Sequence, residues 1–550
     1  MKLDFNAKRR LLKNTAWIAG IAAAILALLL ILNTVQTSMI EPLNTPALTQ
    51  LTQELRENPD DTALRQESRA LDVLARRADF SHLWQVRTGT FLLFIFVLVC
   101  LVSLKLLQDL HERHPGFESK ENLWSSQTKA RKALFISAAA LFVIAFVAGI
   151  TAESQFSGRT ENVFPDDDEI RGNWPAFRGP FGNGHAFTDS PPMNWNGEAD
   201  ENIRWKVPIP LPGYNSPVVW DECVYLSGAD EENRVVYCFD AKSGDLHWQT
   251  DVSNLRGSPE EEPDVTDDTG YAAPTLTTDG TAVYAMFANG DLVALDTDGK
   301  KMWSKSLGLP DNHYGHSSSL ILYQSLLIVQ WDQGDEQFLY GFNKQSGQQL
   351  YQVPRGVQIS WSSPICVNTG SRDEVIINAN PYVMGHDPVT GAELWRVDGM
   401  MGEVAPSPAY ADGMVFAVNE YAILLGIELT EPPAIAWDFD REMSEVSSPV
   451  ATSDYLIMGT SYGSLYCFDA KSGETHWMHE FDDGFYSSPV IASDRVYIMD
   501  MSGLMHVIKL TDEFEVIAEN PLGETGLTTP AFYKDRVYIR GDEHLFCVQE

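Results

Sequence analysis

The chain has 550 residues, of which 44% are hydrophobic, and this length is enough for more than one domain. Its 76 acidic and 39 basic residues give a formal net charge of −37, which excludes nucleic acid as a partner because two polyanions repel each other. The same charge opposes docking on anionic lipid. We interpret the acidic runs at 166–169 and 260–262 as solvated loops, not as calcium sites.

Three apolar stretches in the N-terminal part have the length of transmembrane helices. They lie at 15–33, 88–107 and 133–150, and about 20 apolar residues span the hydrocarbon core of a membrane as a helix. The first stretch is longer than the apolar core of a cleaved signal peptide, and two further stretches follow it. The sequence therefore predicts an integral membrane protein with three spans.

Basic residues predict the orientation of these spans, because positively charged loops stay in the cytoplasm. The tail at 1–14 and the loop at 108–132 carry the basic residues Lys2, Lys8, Arg9, Arg10, Lys13, Arg113, Lys120, Lys129, Arg131 and Lys132. We therefore expect 34–87 and 151–550 to lie outside the cytoplasm. This predicts a protein of the bacterial cytoplasmic (inner) membrane, with its larger part on the periplasmic or extracellular side.

The outer loop at 34–87 has a helical pattern. Leu48, Leu51 and Leu55 recur every three or four residues, and the run at 58–62 ends one helix and starts another. The pattern fits a short helical hairpin above the membrane and equally an interaction module for a partner, and the sequence does not choose between them. An acidic linker at 151–172 follows the third span.

A Ser-Pro step recurs along 173–550 and defines eight repeats. The proline position is occupied by Pro217, Pro274, Ser319, Pro364, Pro408, Pro449, Pro489 and Pro530. Most copies follow one another at about 40–45 residues, a period typical of a β-propeller with one four-stranded blade per repeat. We predict an all-β, eight-bladed propeller with an α-helical membrane anchor of three transmembrane helices.

Further residues recur at fixed repeat positions and indicate packing. The turn at 240–244 and its counterparts combine Asp, which bonds its own backbone, with Gly, which accepts a positive φ. An aromatic residue follows most of these turns, and we expect it to pack blade on blade; these residues are Trp248, Trp303, Tyr351, Trp395, Trp437 and Trp477.

Three of the six cysteines share one repeat position. Cys238, Cys467 and Cys547 stand where other copies have Ala or Gly, so we expect buried thiols and not metal ligands. Cys223 is predicted on the strand beside Cys238. The predicted register places these two on opposite faces of the sheet, which argues against a disulfide.

The last repeat ends one strand short of a full blade. Copy eight stops after the strand at 545–548, whereas the segment 203–207, ahead of copy one, has the pattern of the missing strand. We expect this N-terminal strand to complete the last blade, because closure of the ring removes a free sheet edge.

The repeats resemble those of the pyrroloquinoline-quinone (PQQ) repeat family. The similarity rests on LYCFDAKSG at 465–473 followed by Trp477, on NWPAFRGP at 173–180 and on IRWK at 203–206, and it covers about 170–550. The chain is similar to bacterial membrane-anchored PQQ-like propeller proteins. The resemblance implies relatives of two kinds, quinoprotein dehydrogenases and non-catalytic propellers such as the outer-membrane protein assembly scaffold.

A quinoprotein dehydrogenase implies two adjacent cysteines and a calcium ion held by a carboxylate and an amide near an aspartate base. The chain has no Cys-Cys step, and its repeats are nearly minimal. His313 and His316 have a metal-ligand spacing only within a helix, and here they precede a predicted strand. HExxH, GxSxG and P-loop motifs are also missing. We therefore predict no catalytic residue, no metal ligand and no cofactor, with PQQ and calcium as the alternative.

The predicted binding site is the mouth of the central channel. The innermost strand of each blade begins near the repeat proline, so the residues three positions earlier should ring the mouth: Tyr214, Tyr271, His316, Trp361, Ala405, Val446, Tyr486 and Leu527. Five of these are aromatic or imidazole side chains, and Glu403 and Glu445 add a negative edge. The ring either plugs the channel or binds a peptide, a glycan or a planar ligand.

These features predict a membrane-anchored, extracytoplasmic propeller that acts as a non-catalytic binding or scaffold protein in the bacterial cell envelope. Its expected partner is a protein, a peptide or a glycan. The alternative is a PQQ-dependent dehydrogenase of alcohols or sugars. A sensor that signals across the membrane is disfavoured, because only the loop at 108–132 faces the cytoplasm between the second and third spans.

Overall fold

The computed structural model describes residues 164–188 and 190–550, together with 8–10, 12–23, 25–26, 96, 99, 102–103 and 105–107. The chain divides into two compact units, Met1–Glu161 and Asn162–Glu550. The described residues of the first unit are helical. Within the described part of the chain, no helix combines the length and the apolar character needed to cross a membrane. The predicted loops and span at 34–87, 108–132 and 133–150 lie outside the described residues. Residues 24 and 27–33 of the predicted first span and most of the predicted span at 88–107 also lie outside them.

The second unit begins with a short N-terminal segment. Helix α1 (Asp167–Arg171) is capped by Asp166, whose side chain accepts the backbone N–H of Glu169 at 2.9 Å. A 3-10 turn (Pro180–Gly182) and the strands β1 (His185–Ala186) and β2 (Ile203–Pro208) follow.

The remaining strands form eight consecutive antiparallel sheets. Blades 1 and 2 contain β3 (Val218–Trp220), β4 (Cys223–Ala229), β5 (Arg234–Asp240), β6 (Leu246–Asp251), β7 (Thr277–Thr278), β8 (Ala282–Met286), β9 (Asp291–Asp296) and β10 (Lys301–Ser306). Blades 3 and 4 contain β11 (Ile321–Tyr323), β12 (Leu326–Asp332), β13 (Gln337–Asn343), β14 (Gln349–Pro354), β15 (Ile365–Asn368), β16 (Asp373–Asn378), β17 (Tyr382–His386) and β18 (Glu393–Asp398).

The second half of the ring repeats this pattern. Blades 5 and 6 contain β19 (Ala409–Ala411), β20 (Met414–Ala417), β21 (Leu424–Glu428), β22 (Ala434–Phe439), β23 (Val450–Ala451), β24 (Tyr455–Gly459), β25 (Ser464–Asp469) and β26 (Thr475–Glu480). Blades 7 and 8 contain β27 (Val490–Ala492), β28 (Arg495–Met499), β29 (Leu504–Lys509), β30 (Val516–Pro521), β31 (Ala531–Tyr533), β32 (Arg536–Arg540) and β33 (His544–Val548). The predicted eight-bladed propeller is confirmed.

The predicted closure of the ring is also confirmed. Strand β2 pairs antiparallel with β33, so that Trp205 lies opposite Cys547, and it supplies the fourth strand of blade 8. The first strands of neighbouring blades contact one another, as β3 does with β7 and β31, and they line the central channel. Strand β2, before the first blade, and strand β33, at the C-terminal end, are therefore parts of one sheet.

A ring of hydroxyl groups joins the eight blades around the channel. The backbone N–H of each member donates to the side-chain hydroxyl of the equivalent residue in the next blade, at 2.8–3.1 Å. The members, in chain order, are Ser216, Thr275, Ser319, Ser363, Ser407, Ser448, Ser488 and Thr529. Because all of them are buried, the ring satisfies backbone donors that would otherwise lack acceptors.

The hydroxyl ring corrects the predicted repeat register in blades 2 and 3. Thr275 and Ser319 take the serine position there, so Leu276 and Leu320 stand where proline stands in the other blades. Strands β7 and β11 each begin one residue after these leucines, as the other first strands begin one residue after proline. Pro274 lies in the long loop before β7 and imitates the repeat signal two residues early.

Most of the tryptophans predicted to pack blade on blade share a hydrogen bond, whereas Trp395 donates to Glu374 of its own blade. The indole Nε1 of Trp248 donates to the carbonyl of Thr297, and that of Trp303 to the carbonyl of Lys344, both at 2.8 Å and both in the turn of the next blade. Trp205 of β2 makes the same contact with Ala241 at 3.3 Å. The closing strand therefore docks blade 8 on blade 1 as the other blades dock on their neighbours.

The structure confirms the predicted burial of the cysteines but not the predicted register of Cys223 and Cys238. Cys238, Cys467 and Cys547 are fully buried free thiols, as predicted. In the β4–β5 pair, however, Tyr225 lies opposite Cys238, and Cys223 is two residues from Tyr225. Because side chains alternate along a strand, Cys223 and Cys238 lie on the same face, and the predicted opposite faces are wrong. Their contact lowers the pKa of the Cys223 thiol below its usual range.

Candidate binding site

The two ends of the central channel have different linkers. Loops that join the last strand of one blade to the first strand of the next lie at one end, which we call the mouth. Because neighbouring strands of a blade are antiparallel, the turns between the second and third strands lie at the mouth as well. The turns between the first and second strands and between the third and fourth strands lie at the other end, which we call the base. The predicted site belongs to the mouth, and the base is occupied by the chain itself.

Residues 173–188 fill the base of the channel. Trp174 forms an isolated antiparallel bridge with Val219 of blade 1, and β1 adds to β27 of blade 7 as a parallel strand. Asn183 exchanges two hydrogen bonds with the backbone of Tyr410 in blade 5, at 2.7 and 2.9 Å. We call residues 173–188 the base segment, and its contacts tie distant blades together.

Arg178 lies at the centre of the base segment. Its side chain is fully buried and donates to the carbonyl of Pro408 at 3.0 Å and to that of Pro449. Burial lowers its pKa to about 9. The adjacent Gly179 has φ +73°, and a Cβ there would stand 2.6 Å from the Trp174 ring. Only glycine fits this close approach, so the segment follows one path.

At the mouth, Tyr214 and Tyr486 lie beneath the long loop at 252–276. The Tyr214 hydroxyl donates to the carbonyl of Asp267 at 2.7 Å. Burial, together with the carboxylates of Glu445 and Asp268, raises the pKa of Tyr486 to about 12. Both tyrosines are half-buried. The loop therefore contacts side chains that precede blade 1 and blade 7 and links them across the mouth.

Trp361 belongs to a second group at the mouth. It is 9% exposed, and its ring packs edge-on against Tyr314 at a centroid distance of 5.0 Å. The Tyr314 hydroxyl donates to Glu403 Oε2 at 3.1 Å, and His313 Nε2 lies 3.3 Å from Glu403 Oε1. The Trp361 Nε1 is buried and has no hydrogen-bond partner among the residues that the structure describes. The predicted residue Glu403 thus contacts Tyr314 and His313, neither of which the repeat position indicated.

His316 and Tyr271 do not share the position of Tyr214, because the repeat register is shifted in their blades. His316 is 1% exposed and stacks on Trp331 at 5.3 Å, so it supports the rim from within. Its burial lowers its pKa to about 4. Tyr271 is half-buried and packs against the core shared by blades 1 and 2.

Exposed side chains gather on blades 5 and 6. Tyr421, Tyr462 and Met401 are 66%, 65% and 60% exposed. The Tyr462 hydroxyl donates to Glu420, and Ser461 Oγ donates to Glu445 Oε2 at 2.8 Å. The hydrogen bond to Glu420 raises the pKa of Tyr462 to about 12. We call this group the mouth surface; its members are Met401, Glu403, Glu420, Tyr421, Glu445 and Tyr462.

Sequence reasoning found Glu403 and Glu445 but missed Tyr421 and Tyr462. These tyrosines lie in the turns between the second and third strands of their blades, not beside the first strand. The available signal was an aromatic residue within a short polar turn, because such a turn offers no core to bury a ring. Tyr314 and Asp268 were missed because they lie in loops without a counterpart in the other repeats.

No group of three or more His, Cys, Asp or Glu side chains among the described residues is arranged to hold a metal ion. The aromatic and carboxylate side chains of the mouth supply stacking faces and hydrogen-bond acceptors.

Comparison with known proteins gives a consistent group of relatives. A family model described as outer membrane protein assembly factor BamB matches residues 188–321 and 335–549. A protein of that name from Yersinia pestis is 24% identical over 286 residues, which are 50% of this chain and 67% of that protein.

Solved structures give a likeness of fold. The crystal structure of BamB from Moraxella catarrhalis is 17% identical, with a TM-score of 0.48 over 63% of this chain and 99% of that one. The quinohemoprotein alcohol dehydrogenase from Comamonas testosteroni is 12% identical, with a TM-score of 0.53 over 70% of this chain and 82% of that one. At 12% identity, the likeness to the dehydrogenase shows the propeller fold alone.

Proposed function

The chain belongs to the PQQ-like propeller family described as outer membrane protein assembly factor BamB, and from that premise we propose that it is a non-catalytic scaffold of the bacterial cell envelope. In this role, the propeller holds a protein partner during the assembly of outer membrane proteins. The relatives of that name support the assignment. The mouth surface is the proposed contact site.

The observation that carries this proposal is the contrast between the two channel ends. The base is filled by the chain itself, whereas the mouth presents exposed tyrosines beside fixed carboxylates. Clusters of exposed aromatic residues are uncommon on a free surface and are typical of protein contacts. Tyr214, Trp361 and Tyr486, with Tyr271 and His316 behind them, are proposed to support this surface from the rim.

We further propose that the propeller is anchored in the cytoplasmic membrane with its ring outside. The apolar stretches at 15–33, 88–107 and 133–150 and the basic loops between them support this topology. A cysteine introduced as Ser157→Cys should react with an impermeant maleimide in intact spheroplasts. Reaction only after lysis would reverse the orientation.

A complementation experiment tests the scaffold function. In cells that lack the protein, we expect reduced levels of folded outer membrane proteins, restored by the intact chain but not by a chain with Tyr421→Ala and Tyr462→Ala. The matched control carries Lys471→Ala and Glu474→Ala in an exposed turn at the base and should restore assembly. Equal restoration by both variants would remove the mouth surface from the proposal.

The quinoprotein likeness supplies the competing function. The cofactor site of those enzymes implies adjacent cysteines, and this chain has no Cys-Cys step. The residues present therefore do not fit that site, and we derive no reaction through PQQ. Stoichiometric binding of PQQ with calcium to the purified chain, with dye reduction by an alcohol or a sugar, would overturn the scaffold assignment.

A further inference from the structure

The loops at the mouth carry carboxylates without lysines, whereas the turns at the base carry both. The eight loops that join one blade to the next lie at 209–217, 252–276, 307–320, 355–364, 399–408, 440–449, 481–489 and 522–530, and none of them contains lysine. Their acidic residues are Glu260, Glu261, Glu262, Asp264, Asp267, Asp268, Asp311, Glu403, Asp440, Glu442, Glu445, Asp482, Asp483 and Glu524.

Few positive charges offset these carboxylates. The same loops contain the arginines Arg256, Arg355 and Arg441, and Arg355 is fully buried in an ion pair with Asp332. Lysines occur instead in the turns at the base, for example Lys242, Lys471 and Lys534. The carboxylates of the mouth are therefore offset by fewer basic groups than those of the base, and the mouth would attract positive groups and repel negative ones.

Aromatic faces stand among these carboxylates and are accessible. Tyr421 and Tyr462 project from neighbouring blades with about two thirds of their area exposed, and Glu420 lies close to both. A guanidinium or an ammonium group gains from the face of a tyrosine ring and from a carboxylate at the same time. The exposed Met401 adds an apolar contact for the aliphatic part of a long side chain.

The charge of the mouth selects among polymers. An extended polypeptide can carry basic side chains, whereas a nucleic acid, an anionic lipid or an acidic glycan would be repelled.

We infer that the mouth surface binds an extended polypeptide segment that carries lysine or arginine residues. This inference rests on the proposed scaffold function and specifies its partner by chemistry. The basic side chains lie against Tyr421 and Tyr462, with Glu403, Glu420 and Glu445 as counter-charges. The attraction is exposed to solvent and is therefore screened by salt.

Fluorescence anisotropy with three synthetic peptides tests the inference on the purified full-length chain. The probes are a labelled twelve-residue peptide of alternating arginine and serine and two peptides with glutamine or glutamate in place of each arginine. We expect the arginine peptide to bind on the order of tenfold more tightly than the glutamine peptide. We expect no binding of the glutamate peptide and a loss of affinity between low and high salt.

Two triple variants locate the effect. The first variant combines Glu403→Gln, Glu420→Gln and Glu445→Gln. We expect it to lower the affinity for the arginine peptide by roughly tenfold, since each substitution removes a counter-charge. The matched control, Glu474→Gln, Asp494→Asn and Asp512→Asn, removes the same charge from exposed base turns and should leave affinity unchanged. Circular dichroism melting should be alike for both variants.

The outcomes separate the inference from the function on which it rests. Equal losses in the two triple variants would mean attraction by net charge alone, and the inference would be wrong. If the arginine and glutamine peptides bind equally and Tyr462→Ala weakens both, the mouth is a binding site but its partner is not basic. If cells that lack the whole protein assemble outer membrane proteins normally, the scaffold proposal itself fails, whatever the peptides do.

Discussion

At the base of the channel, residues 173–188 are held by backbone pairing and by the fully buried side chains of Trp174 and Arg178. At the mouth, Tyr421 and Tyr462 are mostly exposed and are fixed by few side-chain bonds. The comparison teaches that one ring can concentrate its stability at one end and leave side chains free to bind at the other. Changes at the base should therefore cost folding free energy, and changes at the mouth should cost binding.

The largest effect should come from removing the closing strand. A chain that starts at residue 210 lacks β2, its ladder with β33, and the buried Trp205. Burial of a large side chain contributes a few kcal/mol, and domains have only about 5–15 kcal/mol in total. We expect this fragment to aggregate, whereas a fragment from residue 165 should melt cooperatively as a monomer in circular dichroism and light scattering.

A fragment that starts at residue 190 separates closure from the base segment, since it keeps β2 but loses 173–188. It should fold with a lower melting temperature than the fragment from residue 165. If the fragment from residue 210 melts as cooperatively as the one from residue 165 and at the same temperature, the closure is not required and the eight-bladed propeller does not depend on β2.

The next effect should come from Trp174 within the base segment. Its ring is fully buried, packs 5.7 Å from Phe532 and covers Gly179. Because truncation of a buried aromatic residue leaves a cavity, Trp174→Ala should lower the free energy of unfolding by about 3–5 kcal/mol in urea titration. A loss below about 1 kcal/mol would mean that the base segment is not integral to the ring.

The buried His316 should make stability at the rim depend on pH. Its folded pKa, about 4, lies below the usual value near 6.5 because of burial, so the unfolded chain binds the proton more tightly. The contribution is fully present above pH 6.5 and is lost as pH falls toward 4. We expect a loss of about 2 kcal/mol between pH 8 and pH 5, and His316→Phe should reduce this pH dependence. An unchanged pH profile would contradict the burial of a neutral imidazole.

The hydroxyl ring allows a smaller and more local test. Ser448→Ala removes the acceptor of the Ser407 N–H, which is 2.9 Å from the Ser448 hydroxyl, and should cost about 1–3 kcal/mol in urea unfolding. Ser448→Thr keeps the hydroxyl and should cost less. Ser319→Ala should resemble Ser448→Ala, whereas Pro274→Ala should have a small effect. A larger loss of stability for Pro274→Ala than for Ser319→Ala would support the register predicted from the proline pattern.

The sequence predicted the ring, the number of blades and the closing strand because these depend on a periodic pattern. The register failed in blades 2 and 3 because Pro274 imitates the repeat signal inside a long loop and because blade 3 lacks the proline. The prediction that Cys223 and Cys238 lie on opposite faces of the sheet failed for a similar reason, since a shift of one residue in register moves a side chain to the other face.

The mouth was predicted less completely than the fold. Glu403 and Glu445 followed from their place beside the repeat position, whereas Tyr314, Tyr421 and Tyr462 lie in turns and loops whose path depends on the packed ring. The base segment shows the same limit. NWPAFRGP at 173–180 indicated a family, but its position in the channel depends on contacts with blades far along the chain, such as the bond of Arg178 to Pro408.

The smallest effect on folding should come from Tyr462, and it completes the comparison between the two ends. Its ring is 65% exposed, and its hydrogen bond to Glu420 lies at the surface, where such contacts contribute little because water competes for both partners. Tyr462→Ala should change the free energy of unfolding by no more than about 0.5 kcal/mol, while it lowers the affinity for the arginine peptide. Tyr462→Phe keeps the stacking face and loses only the hydroxyl, so it should bind more tightly than the alanine variant. A stability loss comparable to that of Trp174→Ala would show that the tyrosine belongs to the packed ring, and the division of stability and binding between the two ends would then fail.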